Sequence, residues 1–259
     1  NPNLLKIALQ YTQSFNGLVQ SYPCERDIAP KGMVNEHLSA TLLGLKGIPS
    51  LAESLQVARD LYILEYTGGR LHIPTISTKE SVELIKQGKK KGLQVTCSVS
   101  INNLTLTDKV LESFDTNHKL LPPLRTLQDI KALKKGLKEG TIDMVTSDHN
   151  PMDIEHKKIE FDHAKYGSIG LESCFGALQK ATDLETAIQA LTKQAVFNIS
   201  QSSITPGEKA CITLFDPSVE WVFEKEHIIS TSKNAALLSQ PLTGKAYGII
   251  NNNQVLLHE

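Results

Sequence analysis

No window of this 259-residue chain approaches 18 consecutive apolar residues, and its first residues do not read as a secretory leader. A helical membrane span is therefore not expected, and the composition points to a soluble, cytoplasmic protein. The four cysteines, Cys24, Cys97, Cys174 and Cys211, show no CxxC spacing. That excludes a zinc knuckle or a disulfide framework and suits free thiols in a reducing compartment. Charge of one sign is lacking too: 27 Lys and Arg against 28 Asp and Glu leave a net charge of -1. Neither nucleic acid nor a membrane surface is expected as a partner, and the densest basic run, Lys89 to Lys91, closes a helix, where cations suit the dipole. HExxH, GxSxG, P-loop and GxGxxG motifs are absent, as are internal repeats and low-complexity segments.

What is present is a core-forming composition, 40% hydrophobic, enough for one large domain with a small appendage. Helical spacing of Leu4, Ile7, Ala8, Tyr11 and Phe15 marks a helix over Asn3 to Phe15, and Leu18 to Ser21 follows as a strand. A second helix runs from Ser50 to about Tyr66 and is expected to bury Leu51, Leu55, Ala58, Leu61 and Leu64, with Gly68 and Gly69 stopping it. Strand Arg70–Ile73, a helix from Thr78 to about Lys91 ending at Gly92 or a turn earlier at Gly88, and strand Leu93–Val99 come next. Residues 102–125 read as loop, and a helix from Thr126 to Glu139 places Leu127, Ile130, Leu133 and Leu137 on one face. Helical stretches then run to about Ile199, before short strands at Lys209–Phe215, Ala246–Ile250 and Gln254–His258. Four alternations of strand and helix predict parallel β/α units. The expected division is a barrel portion over 1–205 and a β-rich portion over 206–259, with Pro206-Gly207 as the boundary.

The stretch from Thr141 to Ser173 organises the rest. Ile142 to Val145 reads as a buried strand, and Asp148 and His149 lie just past its carboxyl end, where α/β folds place their chemistry. Such an Asp-His pair can ligate a metal, act as a general base, or cap a turn. His72 reads as a core histidine, and His149 as either orienting Asp148 or packing. His37, His118, His156, His163, His227 and His258 have no partner at ligand spacing and read as surface residues.

Asp148, His149, Pro151, Glu155, Lys157, Lys158, Phe161, Asp162, Gly167, Ile169, Gly170, Leu171 and Glu172 resemble, in register, a signature segment of the dihydroorotases. Pro122-Pro123-Leu124-Arg125 is similar to the family's Asn-Pro-Pro-Leu-Arg loop, and Leu71-His72-Ile73 with Ser77-Thr78 to its Leu-His-Ile-Cys-His-Val-Ser-Thr strand. Met33 to Glu36 and Gly207 to Trp221 resemble further family segments. The resemblance implies the amidohydrolase fold, a metal-dependent (β/α)8 TIM barrel with a small composite β-sandwich. It also implies that the chain starts near the middle of that barrel, because the family's first-strand His-x-His pair and its bridging ligand have no counterpart. Residues 1–205 fall short of the about 250 that a barrel takes, so an N-terminal portion is expected to lie outside this sequence.

Activity is a separate matter. The family interconverts dihydroorotate and N-carbamoyl-aspartate in de novo pyrimidine biosynthesis, with zinc polarising the amide and activating water. On this register Asp148 is the metal-ligating, proton-shuttling Asp. Tyr22 and Thr75 stand where the family has His ligands, and neither is a normal zinc ligand. The family's His pair is Asn102-Asn103, its substrate Asn is Leu121, its substrate-side His is Met152, and Asn150 replaces a small residue. With Asp148 the only retained metal ligand, the resemblance implies a non-catalytic member without cofactor, forming homo-oligomers and acting as a scaffold or partner for aspartate carbamoyltransferase. The alternative is an active zinc enzyme, either a dihydroorotase or a relative acting on hydantoin or allantoin.

Overall fold

A computed structural model describes residues 1–197 and 204–257; Ile199 and His258 lie outside the described residues. In chain order the elements are α1 (Pro2–Thr12), β1 (Leu18–Gln20), β2 (Val34–Asn35), α2 (Leu38–Leu42), β3 (Gly47–Ile48), α3 (Ser50–Thr67), β4 (Arg70–Ile73) and α4 (Lys79–Lys90). After these come β5 (Val95–Ser100), α5 (Ile101–Thr105), α6 (Leu127–Lys138), β6 (Met144–Thr146), α7 (Ile154–Lys157), α8 (Leu171–Ala181) and α9 (Leu184–Thr192). The chain ends on β7 (Ile212–Val222), β8 (Pro241–Asn251) and β9 (Gln254–Leu257).

Strands β1, β4, β5 and β6 form one parallel sheet in that order, with Gln20 opposite His72, His72 opposite Thr96, and Val99 opposite Val145. Parallel neighbours need crossovers, and α3, α4 and α6 supply them on the outside of the sheet. This is the parallel β/α arrangement expected from the alternation. Leu71, Ile73, Cys97 and Val99 are fully buried between the sheet's two faces, as strands covered on both sides require.

Local signals set the helix ends. The Thr78 side chain accepts from Ser81 N and caps α4, and Thr126 with Asp129 forms a capping box at α6. Gly92, at φ 83°, follows the end of α4, so the stop lies there and not at Gly88, which is buried within the helix. The 102–125 stretch is not all loop, since α5 begins it under a Ser100 cap.

The faces of two helices differ from expectation. On α1 the buried residues are Leu5 and Leu9, while Leu4, Ile7, Tyr11 and, just beyond it, Phe15 are exposed. On α3 the buried face carries Glu53, Val57, Asp60, Leu61 and Leu64, whereas Leu51 and Leu55 face out. Leu127 on α6 is exposed as well. The periodicity located these helices and correctly placed Leu61 and Leu64 of α3 and Ile130, Leu133 and Leu137 of α6 in the core, but it put Leu51, Leu55, Leu127 and most of the α1 stripe on the wrong side.

Strands β7, β8 and β9 form an antiparallel sheet in that order, and two of them are longer than expected because β7 continues through a bulge at Asp216 to Glu220. Helix α8 packs on β8, and Trp221 Nε1 donates to Gly244 O at 3.1 Å. Phe223, Ile228, Ala235, Leu237 and Leu242 join the same apolar cluster as the barrel strands. No described helix is long and apolar enough to cross a membrane.

Candidate functional site

The parallel sheet delivers one side chain from each strand to its carboxyl end. Tyr22, Thr75, Asn102 and Asp148 each lie two residues past the last residue of β1, β4, β5 and β6. Thr75 and Asp148 both take left-handed backbone conformations, at φ 49° and 47°. A β-branched residue is rarely found there, and such strain is held only where surrounding structure imposes it. The turn at Thr75 is fixed by its N–H, which donates to Ser98 Oγ at 3.1 Å. At Asp148 the N–H donates to Thr146 Oγ1 at 3.1 Å.

The chemistry of these four groups is muted. Burial holds the Asp148 carboxyl above its ordinary value, and no hydrogen bond or ion pair reaches it among the described residues. Burial first, and then Cys24, Glu53 and Asp148, push the Tyr22 phenol well above its usual range. Asn102 is 1% exposed and neither its amide oxygen nor its nitrogen has a partner among the described residues. Asn103 differs: its Nδ2 donates to Pro123 O at 2.9 Å and ties α5 to the double-proline loop.

Tyr22, Cys24, Ala52, Glu53, Leu121, Pro122, Pro123 and Arg125 enclose a cavity of only about 10 Å³. One water molecule is the most such a space admits. Leu121, on the double-proline loop, lines this cavity. Met152 is not part of it. That residue lines two open surface grooves of about 530 and 880 Å³, and its N–H donates to Asn234 Oδ1 at 3.2 Å. The structure thus gathers Tyr22 and Leu121 at one cavity, brings Asp148 close enough to act on the phenol, and leaves Met152 outside.

The histidines have other duties. His149 Nδ1 accepts from Gly170 N and Leu171 N, at 3.2 and 3.3 Å, which places its other ring nitrogen as the donor. It fastens the start of α8 and makes no hydrogen bond to Asp148. Gly170 is required at this point because a Cβ would run into the Ser147 carbonyl. His72 is buried with Nδ1 at 2.9 Å from Thr96 Oγ1, as a core histidine should be, and burial lowers its pKa. Two surface assignments need correction: His118 is partly buried with Nε2 3.2 Å from Ala236 O, and His227, also partly buried, has Nδ1 accepting from Glu224 N at 3.0 Å. His37 is at the surface as expected, with Nδ1 3.0 Å from the buried carboxylate of Asp108.

Sequence reasoning missed a buried polar network beside the cavity. Glu53 accepts from Ser77 N and Thr78 N at 2.8 and 3.0 Å and from both of their hydroxyls. Arg125 donates to Ser77 Oγ, Asn35 Oδ1 and Ile48 O at 3.1, 2.8 and 2.8 Å, with its guanidinium 4.0 Å from Glu53. Asn35 Nδ2 passes the chain on to Asp108 at 3.0 Å. The available signal was a pair of acids, Glu53 and Asp60, on the same helical face as Val57 and Leu64, because a charge on a core-facing stripe demands partners.

Zinc was tested against these groups. Among the described residues no three His, Cys, Asp or Glu side chains come together as metal ligands. A phenol with a raised pKa, a threonine hydroxyl, an amide and one carboxylate do not make a zinc donor set, and the described residues do not fit the metal.

A family model described as dihydro-orotase-like matches residues 8–81. The dihydroorotase of Geotalea daltonii is 38% identical over 98% of this chain, and that of Acetivibrio thermocellus 38% identical over 99%. Along nearly its whole length the chain is similar to dihydroorotases. It spans 62% of the length of both relatives. A solved D-hydantoinase superposes over the whole chain with a TM-score of 0.84 at 20% identity, matching 61% of its own length, which establishes the amidohydrolase barrel fold. The inactive dihydroorotase-like domain of the Chaetomium thermophilum CAD-like multifunctional protein covers 77% of the chain at a TM-score of 0.57 and 20% identity.

Proposed function

We propose that this dihydroorotase-family chain acts in pyrimidine biosynthesis without catalysing the family's ring opening. One observation carries the reading: the strand-end positions hold Tyr22, Thr75, Asn102 and a lone Asp148, and the cavity that Tyr22 lines together with Leu121 measures about 10 Å³. A dihydroorotate ring needs many times that volume, and hydrolysis of its amide needs a Lewis acid or a strong base that these groups do not supply. Asp148 has a proton affinity raised by burial but, among the described residues, no hydrogen-bond partner through which to pass a proton. Asn103, Leu121 and Met152 make packing and backbone contacts in place of substrate contacts. The barrel portion, 1–205, and the β-rich portion, 206–259, then serve assembly in the cytoplasm, with aspartate carbamoyltransferase as the partner and a homo-oligomer as the form. The inactive state stated for the Chaetomium domain is a precedent for a barrel of this fold kept without activity.

A second reading rests on the retained Asp148, held at φ 47° at the end of β6, and on relatives called dihydroorotase. It makes the full-length protein a zinc-dependent dihydroorotase, or a hydantoin- or allantoin-type amidohydrolase. Turnover of dihydroorotate, measured in both directions with and without added zinc on the full-length protein, separates the two. No turnover beyond the blank is expected; zinc-dependent turnover abolished by Asp148→Asn would establish the second.

A further inference from the structure

The connection between β7 and β8 runs across two loops at the carboxyl ends of the parallel strands. Asn234, buried, donates from Nδ2 to Asn150 O and Gly167 O, both at 3.1 Å, and its Oδ1 accepts from Met152 N at 3.2 Å. Ile169 N donates to Asn234 O at 2.9 Å, and Ala236 N donates to Ser168 Oγ at 2.8 Å. All of these bonds go to the loop that follows Asp148. The other loop, ahead of the double proline, reaches the same segment through His118, at the end of the short turn Thr116–His118, whose Nε2 lies 3.2 Å from Ala236 O.

A carbonyl only accepts, so Nε2 carries the proton and Nδ1 keeps its lone pair. Nδ1 is buried and has no partner among the described residues. The arrangement suits a neutral ring alone, because a second proton would create a buried N–H with nothing to receive it. The surrounding charges do not reverse this. Burial is the largest influence and lowers the His118 pKa, Asp115 on its own turn and the Ala236 carbonyl raise it, and Lys157 of α7 lowers it again. Asp115 is also engaged as a cap, accepting from Asn117 N at 2.9 Å. The segment 234–238, Asn-Ala-Ala-Leu-Leu, brings no charge, and the neighbouring Lys233 has its ammonium on Ile228 O and Ser230 O at 2.8 and 2.9 Å. A histidine held neutral in the fold contributes its full stabilisation above the ordinary histidine value of about 6.5 and loses it as pH falls below that.

We propose that His118 is an acid-sensitive catch: neutral, it holds segment 234–238 across the two strand-end loops, and protonated it swings out and lets the segment lift. Hydrogen exchange on the full-length protein at about pH 7.5 and about pH 5.5 tests this. His118→Gln, which keeps a donor for Ala236 O and does not titrate, is measured at the same pH so that the chemical exchange rate cancels. The amides of Met152, Ile169 and Ala236 are expected to exchange alike in the two proteins at the higher pH and several-fold faster in wild type at the lower, while Leu71 and Val99 in the parallel sheet show no such difference. A wild-type to variant ratio that stays constant with pH would overturn the proposal. So would an acceleration spread equally over the sheet, which marks unfolding of the whole domain. A second measurement needs no variant: followed by NMR in wild type, the His118 ring is expected to take up its proton below about pH 6.5, with the Met152 and Ile169 amides shifting in step. Titration at or above that value, or loop amides that ignore it, would equally overturn the catch.

Discussion

Two groups of buried polar side chains lie side by side at the carboxyl ends of the strands, and they are built in opposite ways. Around Arg125 every principal group is answered: Glu53 by Ser77 and Thr78, Arg125 by Asn35, Ser77 and the Ile48 carbonyl, and Asp108 by Asn35 and His37. At the strand-end positions the Asp148 carboxylate has no donor, the Asn102 amide has no partner among the described residues, and two residues sit in left-handed conformations. The first group behaves like part of the scaffold. The second combines left-handed backbone conformations with unmet polarity.

That contrast is sharpest in stability, because substitutions in the two places are expected to act with opposite signs. The largest effect is expected for Arg125→Met, which leaves Glu53 as a buried charge without its cation and Asn35 without a donor. A loss of about 3–5 kcal/mol in denaturant unfolding is expected, and a loss below about 1 kcal/mol would show that the network is not what fastens the loops. Asp148→Asn is expected to stabilise the protein at neutral pH by about 1 kcal/mol. The sign follows from burial: a carboxyl whose folded pKa is raised favours folding only while protonated, so its penalty grows as pH climbs through the carboxylate range. The gain over wild type should therefore shrink as pH falls from the raised folded value towards the ordinary Asp value of about 4 and be largely gone below it, and a pH-independent difference would remove the link to ionisation. Smallest is Asn102→Leu, which deletes an unpaired amide at similar volume. It is expected to be neutral or to raise stability by up to about 1 kcal/mol. A clear loss would mean that the amide holds something bound.

Much of the fold was legible because its signals are local. The Thr78 and Thr126 caps, Gly92 after α4 and the strand-helix alternation each depend on a few consecutive residues. The orientation of α1 was not legible and that of α3 only in part, through Leu61 and Leu64, for a physical reason. Hydrophobic periodicity finds a stripe, but on α3 the side facing the sheet carries Glu53 and Asp60, whose burial is made tolerable by Ser77, Thr78, Arg125 and Ser21, far away in sequence. An apolar stripe that faces out looks the same in sequence as one that faces the core. The strand-end positions of Tyr22, Thr75, Asn102 and Asp148 were readable from the family register. What narrows the cavity was not, since Leu121 and Pro122 meet Tyr22 there from about a hundred residues away in sequence.

The most direct test of the account is zinc stoichiometry, by elemental analysis of the full-length protein after equilibration with excess zinc and gel filtration. The groups at the ends of β1, β4, β5 and β6 lead to an expected content well below one zinc per chain, unchanged by Asp148→Asn. One tightly held zinc per chain that is lost on Asp148→Asn would contradict it, and would make these strand ends a working metal centre.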